Sequence, residues 1–167
     1  MKFLEKDLEQ IIWDADKEVL SERGLNLDGK LKRQLKIGNY GIADLIHFKR
    51  PISYYDKEEN KMFNVENGLI EIIELKNEKI SVSAFMQAIK YLKGIKRYLQ
   101  ERDFNDSKYC YRITLIGRYL DFDSSICYLP DLICNEDLTV EIITYSYDID
   151  GIQFQSEWNY KLTNEGF

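Results

Sequence analysis

Apolar residues at Leu4, Leu8, Ile11, Ile12, Ala15 and Val19 recur at helical spacing, with acidic and basic residues on the other side. That pattern predicts an amphipathic helix over residues 3–20, with Gly24 as a stop signal. Asn26, Asp28 and Gly29 mark a polar connection. Looser alternation over 31–40 predicts a first strand with a turn or bulge at Gly38-Asn39, and Gly41 to Phe48 predicts a stronger one. Residues 50–68 contain the polar run 56–60 and the turn signal Asn67-Gly68, and predict a β-hairpin or mobile loop projecting from a sheet.

Leu69 to Lys76 is the clearest strand, and it is apolar at both parities: Ile70 and Ile72 on one, Leu69, Ile73 and Leu75 on the other. A strand of that kind is normally central and covered on both sides. A helix follows over Val82 to Glu101, with Val82, Phe85, Ile89, Leu92 and Leu99 on its apolar side. Further strands are expected at 110–120 and 138–147, and Asp150-Gly151 turns into Ile152-Gln153-Phe154. Pro130 interrupts the segment between and ends a short helix or loop. This order predicts an α/β fold, a central mixed sheet flanked by helices, in a single domain over 1–167.

Bulk properties change the picture only modestly. The chain has 167 residues, 44% hydrophobic and 31% charged, which suits a folded domain with a real core. No run of eighteen apolar residues exists, so no membrane span is expected. The start, Met1-Lys2-Phe3-Leu4-Glu5-Lys6-Asp7, places acidic residues where a signal peptide needs an apolar stretch, so a cytoplasmic location is expected. Cys110, Cys127 and Cys134 form no Cys-X-X-Cys pair and read as ordinary buried thiols. With His47 as the single histidine, Ser-His-Asp catalysis and a histidine-rich metal site are both disfavoured. The net charge of −6 argues against nucleic acid until its distribution is considered. Residues 1–100 carry 18 Lys and Arg against 16 Asp and Glu, whereas 101–167 carry 5 against 13. Basic patches in the first part could still meet phosphates.

The candidate chemistry lies in that first part. Residues two apart on a strand share a face, roughly 6.5 Å apart, so Glu74 and Lys76 should project together. The carboxylate suits a hard cation, Mg²⁺ or Mn²⁺. A lysine beside it can position a water or stabilise a phosphorane-like transition state. Asp44 lies in the apolar strand Gly41-Ile42-Ala43-Asp44-Leu45-Ile46, where an unpaired aspartate is costly. If that strand pairs beside 69–76, Asp44 can share the cation with Glu74, and the Leu75 carbonyl is a natural third ligand. Taken singly, Glu74 and Lys76 also read as a surface pair, and Asp44 as a turn residue. Gln87 and Tyr91 lie one helical turn apart, with Gly94 and Tyr98 continuing their line, offset from the apolar side. Lys90, Lys93 and Arg97 form a neighbouring basic stripe, and Lys30, Lys32, Arg33 and Lys36 a second cluster, which reads either as a solvated face or as a contact for phosphate.

The ordered set Asp44, Glu74-Leu75-Lys76 and Gln87-X-X-X-Tyr91 resembles the PD-(D/E)XK, restriction-endonuclease-like superfamily in its RecB-type, NucS-like branch. Ala43 stands where the family's usual proline precedes the aspartate. Thirty residues separate Asp44 from Glu74, room for the hairpin insertion. NucS-like proteins also carry an N-terminal DNA-binding domain that is not expected within residues 1–167, so their substrate preference is not carried over. The resemblance implies a restriction-endonuclease-like fold and a Mg²⁺- or Mn²⁺-dependent DNA nuclease, an endonuclease by expectation. It assigns the metal to Asp44, Glu74 and Leu75, water activation to Lys76, and site support to Gln87 and Tyr91. It also supplies a first-helix carboxylate in the outer ligand set. Family spacing favours Glu9, with Glu5 as second choice. Lys90, Lys93, Arg97, Lys32 and Arg33 are the expected nucleic-acid contacts, with a homodimer or partner protein helping to grip DNA. The alternative is a catalytically inactive module of the same fold that binds nucleic acid or a protein.

Overall fold

The computed structural model describes residues 3–102, 104, 106–120, 125–135 and 137–160. Helices α1 (Glu5–Asp14) and α2 (Lys17–Glu22) precede strands β1 (Lys30–Ile37) and β2 (Gly41–Lys49). A hairpin of β3 (Ile52–Asp56) and β4 (Lys61–Glu66) leads into β5 (Gly68–Leu75). The short strand β6 (Lys79–Ile80) is followed by helix α3 (Val82–Gln100), then β7 (Tyr109–Gly117) and β8 (Tyr119–Leu120). Helix α4 (Leu129–Ile133) and strands β9 (Leu138–Asp148) and β10 (Gly151–Tyr160) complete the order.

Six strands form one mixed sheet in the order β1-β2-β5-β7-β9-β10. The central β5, β7 and β9 are parallel, β2 and β10 run antiparallel to them, and β1 runs antiparallel to β2. Parallel neighbours need a crossover, and α3 provides the one between β5 and β7. Its Phe85, Ala88 and Leu92 pack on Ile70, Ile72, Ile113 and Leu115. On the opposite face Leu8, Ile12 and Leu20 of α1 and α2 cover Leu45, Ile73, Leu75 and Ile116. Strand β5 is thus apolar on both faces because both are covered, as its sequence requires. No helix among the described residues is long and apolar enough to cross a membrane.

Several expectations need correction. The helix expected over 3–20 is two helices, broken at Ala15 and Asp16, whose backbones are extended (ψ 144° and 143°). Asp16 takes the N-cap of α2, a position that suits its short polar side chain better than a helix interior. The break shifts the helical phase, so Leu20 is buried and Val19 is exposed. Asn67-Gly68 is not a hairpin turn, since Gly68 opens β5 and the hairpin turns at 57–60. Pro130 lies near the start of α4, where its missing N–H costs nothing, and does not end it. A small parallel pair, β6 with β8, was not anticipated. Cys110 and Cys134 are only partly buried rather than core thiols. The Cys127 side chain, residues 121–124, residue 136 and residues 161–167, where part of the acidic C-terminal stretch falls, lie outside the described residues.

Gly24 ends α2 at φ +92°, where the Leu25 N–H reaches the Leu20 carbonyl (2.8 Å), a Schellman-like stop. A side chain there would also overlap the Phe154 carbonyl oxygen of β10. Gly24→Ala is expected to cost about 2 kcal/mol or more, through strain at positive φ and that overlap. Urea unfolding would measure it, and an unchanged midpoint would show that the α2–β10 contact contributes nothing.

Candidate functional site

Strands β2 and β5 pair from Lys49↔Leu69 to Leu45↔Ile73 and then part. One step further, Asp44 faces Glu74. The Asp44 carboxylate enters the gap, its Oδ2 accepting from the Leu75 N–H at 2.9 Å, so a side chain replaces the lost main-chain pairing. Glu74 is 1% exposed, which rules out a surface pair, and Asp44 is on the strand rather than in a turn. Lys76 lies just past the end of β5, tied by its N–H to the Ile116 carbonyl (2.8 Å). Its Nζ meets Glu74 Oε1 at 2.9 Å and Glu5 Oε1 at 3.7 Å. Glu74 Oε2 is buried with no hydrogen-bond partner.

The charges are tightly interdependent. Burial, then the Asp44 charge, pushes the Glu74 carboxyl up to about 7 against the pull of Lys76. Asp44 is also raised, first by burial and further by Glu5 and Glu9, while the Leu75 N–H opposes the shift. Burial works against the Lys76 ammonium, but its hydrogen bond to Glu74 and the nearby carboxylates outweigh that and raise its pKa. Lys76 is therefore an ammonium at neutral pH.

Both first-helix carboxylates approach this cluster, by different routes. Glu5 reaches Lys76 directly. Glu9, 9% exposed, is held by the Gln34 amide and lies 3.5 Å from Arg33 Nε. Gln34 was missed from sequence. It has φ +50°, a left-handed conformation unusual for a residue with a side chain, and the pairs Arg33↔Leu45 and Leu35↔Ala43 bracket it opposite Asp44. Both strands change face at this point. Leu31 and Leu45 pack on the α1 side, whereas Leu35 and Ala43 pack on the α3 side, although odd positions of a regular strand share one face. The available signal was the turn at Gly38-Asn39, which fixes a register that puts Gln34 across from Asp44.

The helix motif lies one layer away. Gln87 Nε2 donates to the Tyr91 hydroxyl at 2.6 Å. Tyr91 is 3% exposed and packs on Gly41, three residues before Asp44, and Gly94 is buried against Ile37 and Tyr40. That line is therefore core at its centre, correcting the expectation that it is offset from the apolar side. Lys90, Lys93 and Arg97 are exposed on α3, with Arg97 bonded to Glu101 (3.1 Å). Lys32 is exposed on β1, but Arg33 is engaged by Glu9, by Gln10 (3.0 Å) and by the Trp13 ring.

A second polar cluster, also missed, is buried on the α1 side of the sheet. His47 Nδ1 lies 2.6 Å from Glu71 Oε2, its Nε2 accepts from the Gly29 N–H (2.8 Å), and Thr114 donates to Glu71. His47 and Glu71 interrupt their apolar strands at paired positions, which was their sequence signal. Its groups are satisfied by one another, so it reads as a latch holding the α2–β1 connection to the sheet.

The donors around Asp44 and Glu74 are hard oxygens, and one of them is buried and unpartnered, which fits a small divalent cation. Among the described residues no three His, Cys, Asp or Glu side chains are already gathered to hold a metal ion. Two carboxylates and a main-chain carbonyl are the groups on offer. Compared with protein-family models, characterised proteins and solved structures, the chain has no match.

The raised Glu74 carboxyl has a pH signature in the metal-free protein. Unfolded, the group titrates near 4.5; folded, near 7. Its contribution to stability is therefore complete below about pH 4.5 and is lost as pH rises through 7. The loss is on the order of 3 kcal/mol. Asp44 acts in the same direction. Thermal unfolding at pH 5 and pH 8 should show wild type losing more stability than Glu74→Gln. Parallel behaviour of the two proteins would contradict the buried-carboxylate account.

Proposed function

We propose that this chain is a Mg²⁺- or Mn²⁺-dependent deoxyribonuclease of the PD-(D/E)XK kind, acting as an endonuclease on a restriction-endonuclease-like core. The observation that carries the reading is buried Glu74, facing Asp44 across the parting strands, paired with Lys76, with one oxygen left unpartnered. Like charges buried side by side are unfavourable unless a cation or proton relieves them. Supporting it, Asp44, Glu74 and Lys76 lie side by side although Asp44 is distant from the other two in sequence.

In this reading Asp44, Glu74 and the Leu75 carbonyl hold the cation, and Glu9 completes the outer set. When bound, the cation polarises a phosphodiester and lowers the pKa of a water. The protein's own contribution is positional. Asp44 is fixed by the Leu75 N–H, so its carboxylate cannot swing away. Lys76, held as an ammonium between Glu74 and Glu5, orients the attacking water and offsets negative charge developing on the phosphorane. Glu9 is aimed by Gln34 and Arg33, which makes Arg33 a positioning residue in this scheme. Tyr91 braces Gly41 and so the start of β2, and the partly exposed Gln87 amide is available to the backbone of DNA. Lys90, Lys93, Arg97 and Lys32 neutralise phosphates.

The test is Mn²⁺-dependent cleavage of linear, circular, single-stranded, flapped and branched DNA. Wild type should cleave at least one member. Lys76→Ala should fall at least about 100-fold while its unfolding transition stays cooperative. Glu74→Ala should be inactive. Full activity in a folded Lys76→Ala variant would sink the mechanism.

A further inference from the structure

We propose that the β3–β4 hairpin is a dimerisation arm that seats in the groove between β1–β2 and the C-terminal half of α3 of a second copy of this chain. The hairpin pairs only with itself, as a two-stranded sheet separate from the main one. Such a ribbon is marginal in isolation. It nevertheless holds out Ile52, Tyr54, Tyr55, Met62 and Val65, each more than half exposed. Cross-strand partners share a face, so Tyr54 with Phe63 occupies one side and Tyr55 with Met62 the other. An arm that is apolar on both sides is built to be covered.

The groove supplies the complement. It encloses about 710 Å³, with Phe48, Ile95 and Leu99 among its apolar lining and Lys30, Lys32 and Arg50 among its cations. Those three have no carboxylate partner among the described residues, while Asp28 at the edge is matched by Lys49 at 2.9 Å. The arm's turn carries Asp56, Glu58 and Glu59 against Lys57 and Lys61, and Lys61 lies over the Phe63 ring. An acidic tip is repelled by nucleic-acid phosphate and attracted by a basic rim.

Placement favours a second copy over an unrelated protein. The arm leaves the sheet just past Lys49 and Arg50, which themselves line the groove. A two-fold axis near this root lays each arm across the other copy's groove, a reciprocal contact that closes on itself. Two such seatings bury on the order of 1,000–2,000 Å², the scale of a specific interface.

Sedimentation of the full chain tests this with two surface variants, Glu58→Lys/Glu59→Lys in the arm and Lys30→Glu/Arg50→Glu in the groove. Wild type should be a dimer, and each variant alone should dimerise at least about 10-fold more weakly. Mixing the two should restore a dimer, because reversed tip meets reversed rim and native tip meets native rim. A wild-type monomer up to about 1 mM would overturn the proposal. So would a dimer indifferent to both reversals, or a mixture that stays as weak as its parts. The substitutions leave Asp44, Glu74 and Lys76 untouched, so the outcome is independent of whether the chain cleaves DNA.

Discussion

Where β2 and β5 separate, the main-chain N–H of Leu75 loses its ladder partner, and the Asp44 carboxylate takes its place. An unpaired buried N–H would be costly, so this side-chain bond holds the end of the sheet together. It also draws a charge into the gap beside buried Glu74. Fold and site therefore share one interaction. The strands cannot part without Asp44, and Asp44 cannot serve them without raising the cost of an ionised Glu74. The left-handed Gln34 on the third strand of the same row belongs to this constraint. It reverses the facing of β1 where β2 reverses, and it delivers an amide to Glu9.

The two buried acidic clusters make a useful contrast. Glu71 is as buried as Glu74, yet His47 and Thr114 satisfy both of its oxygens, so the group is closed. Glu74 keeps one oxygen unpartnered and faces a like charge. Buried carboxylates in one sheet thus do different work. A satisfied network fixes a connection, while an incomplete one leaves the oxygen at which we propose a cation.

Much of this was legible in the sequence where a pattern repeats over many residues. The both-faces apolar run of β5 and the amphipathic α3 followed from spacing, and the polar run 56–60 marked the segment where the hairpin turns. The pairing that brings Asp44 to Glu74 was readable as a condition, because an aspartate in an apolar strand needs a partner. Less legible were features set by tertiary context. The break at Ala15-Asp16 turns Leu20 rather than Val19 toward the sheet, a phase change that a single helical period over 3–20 does not show. Tyr91 was misread as lateral because Gly41 opens space for its ring, and no helical wheel shows a neighbouring strand. Gln34 carries no local signal, and its role exists only through register with Asp44. The choice between Glu5 and Glu9 dissolves in three dimensions, where one meets Lys76 and the other meets Gln34 and Arg33.

The central claim is that Asp44 and Glu74 form a cation site whose electrostatic cost is relieved by the cation. Calorimetric titration of Mn²⁺ into the full chain, near pH 6.5 and in buffers of different ionisation enthalpy, tests it most directly. The account predicts about one ion bound per chain, with a proton released because Glu74 is largely protonated below 7. Binding should disappear in Glu74→Gln. No binding, or equal binding in wild type and the variant, would contradict it.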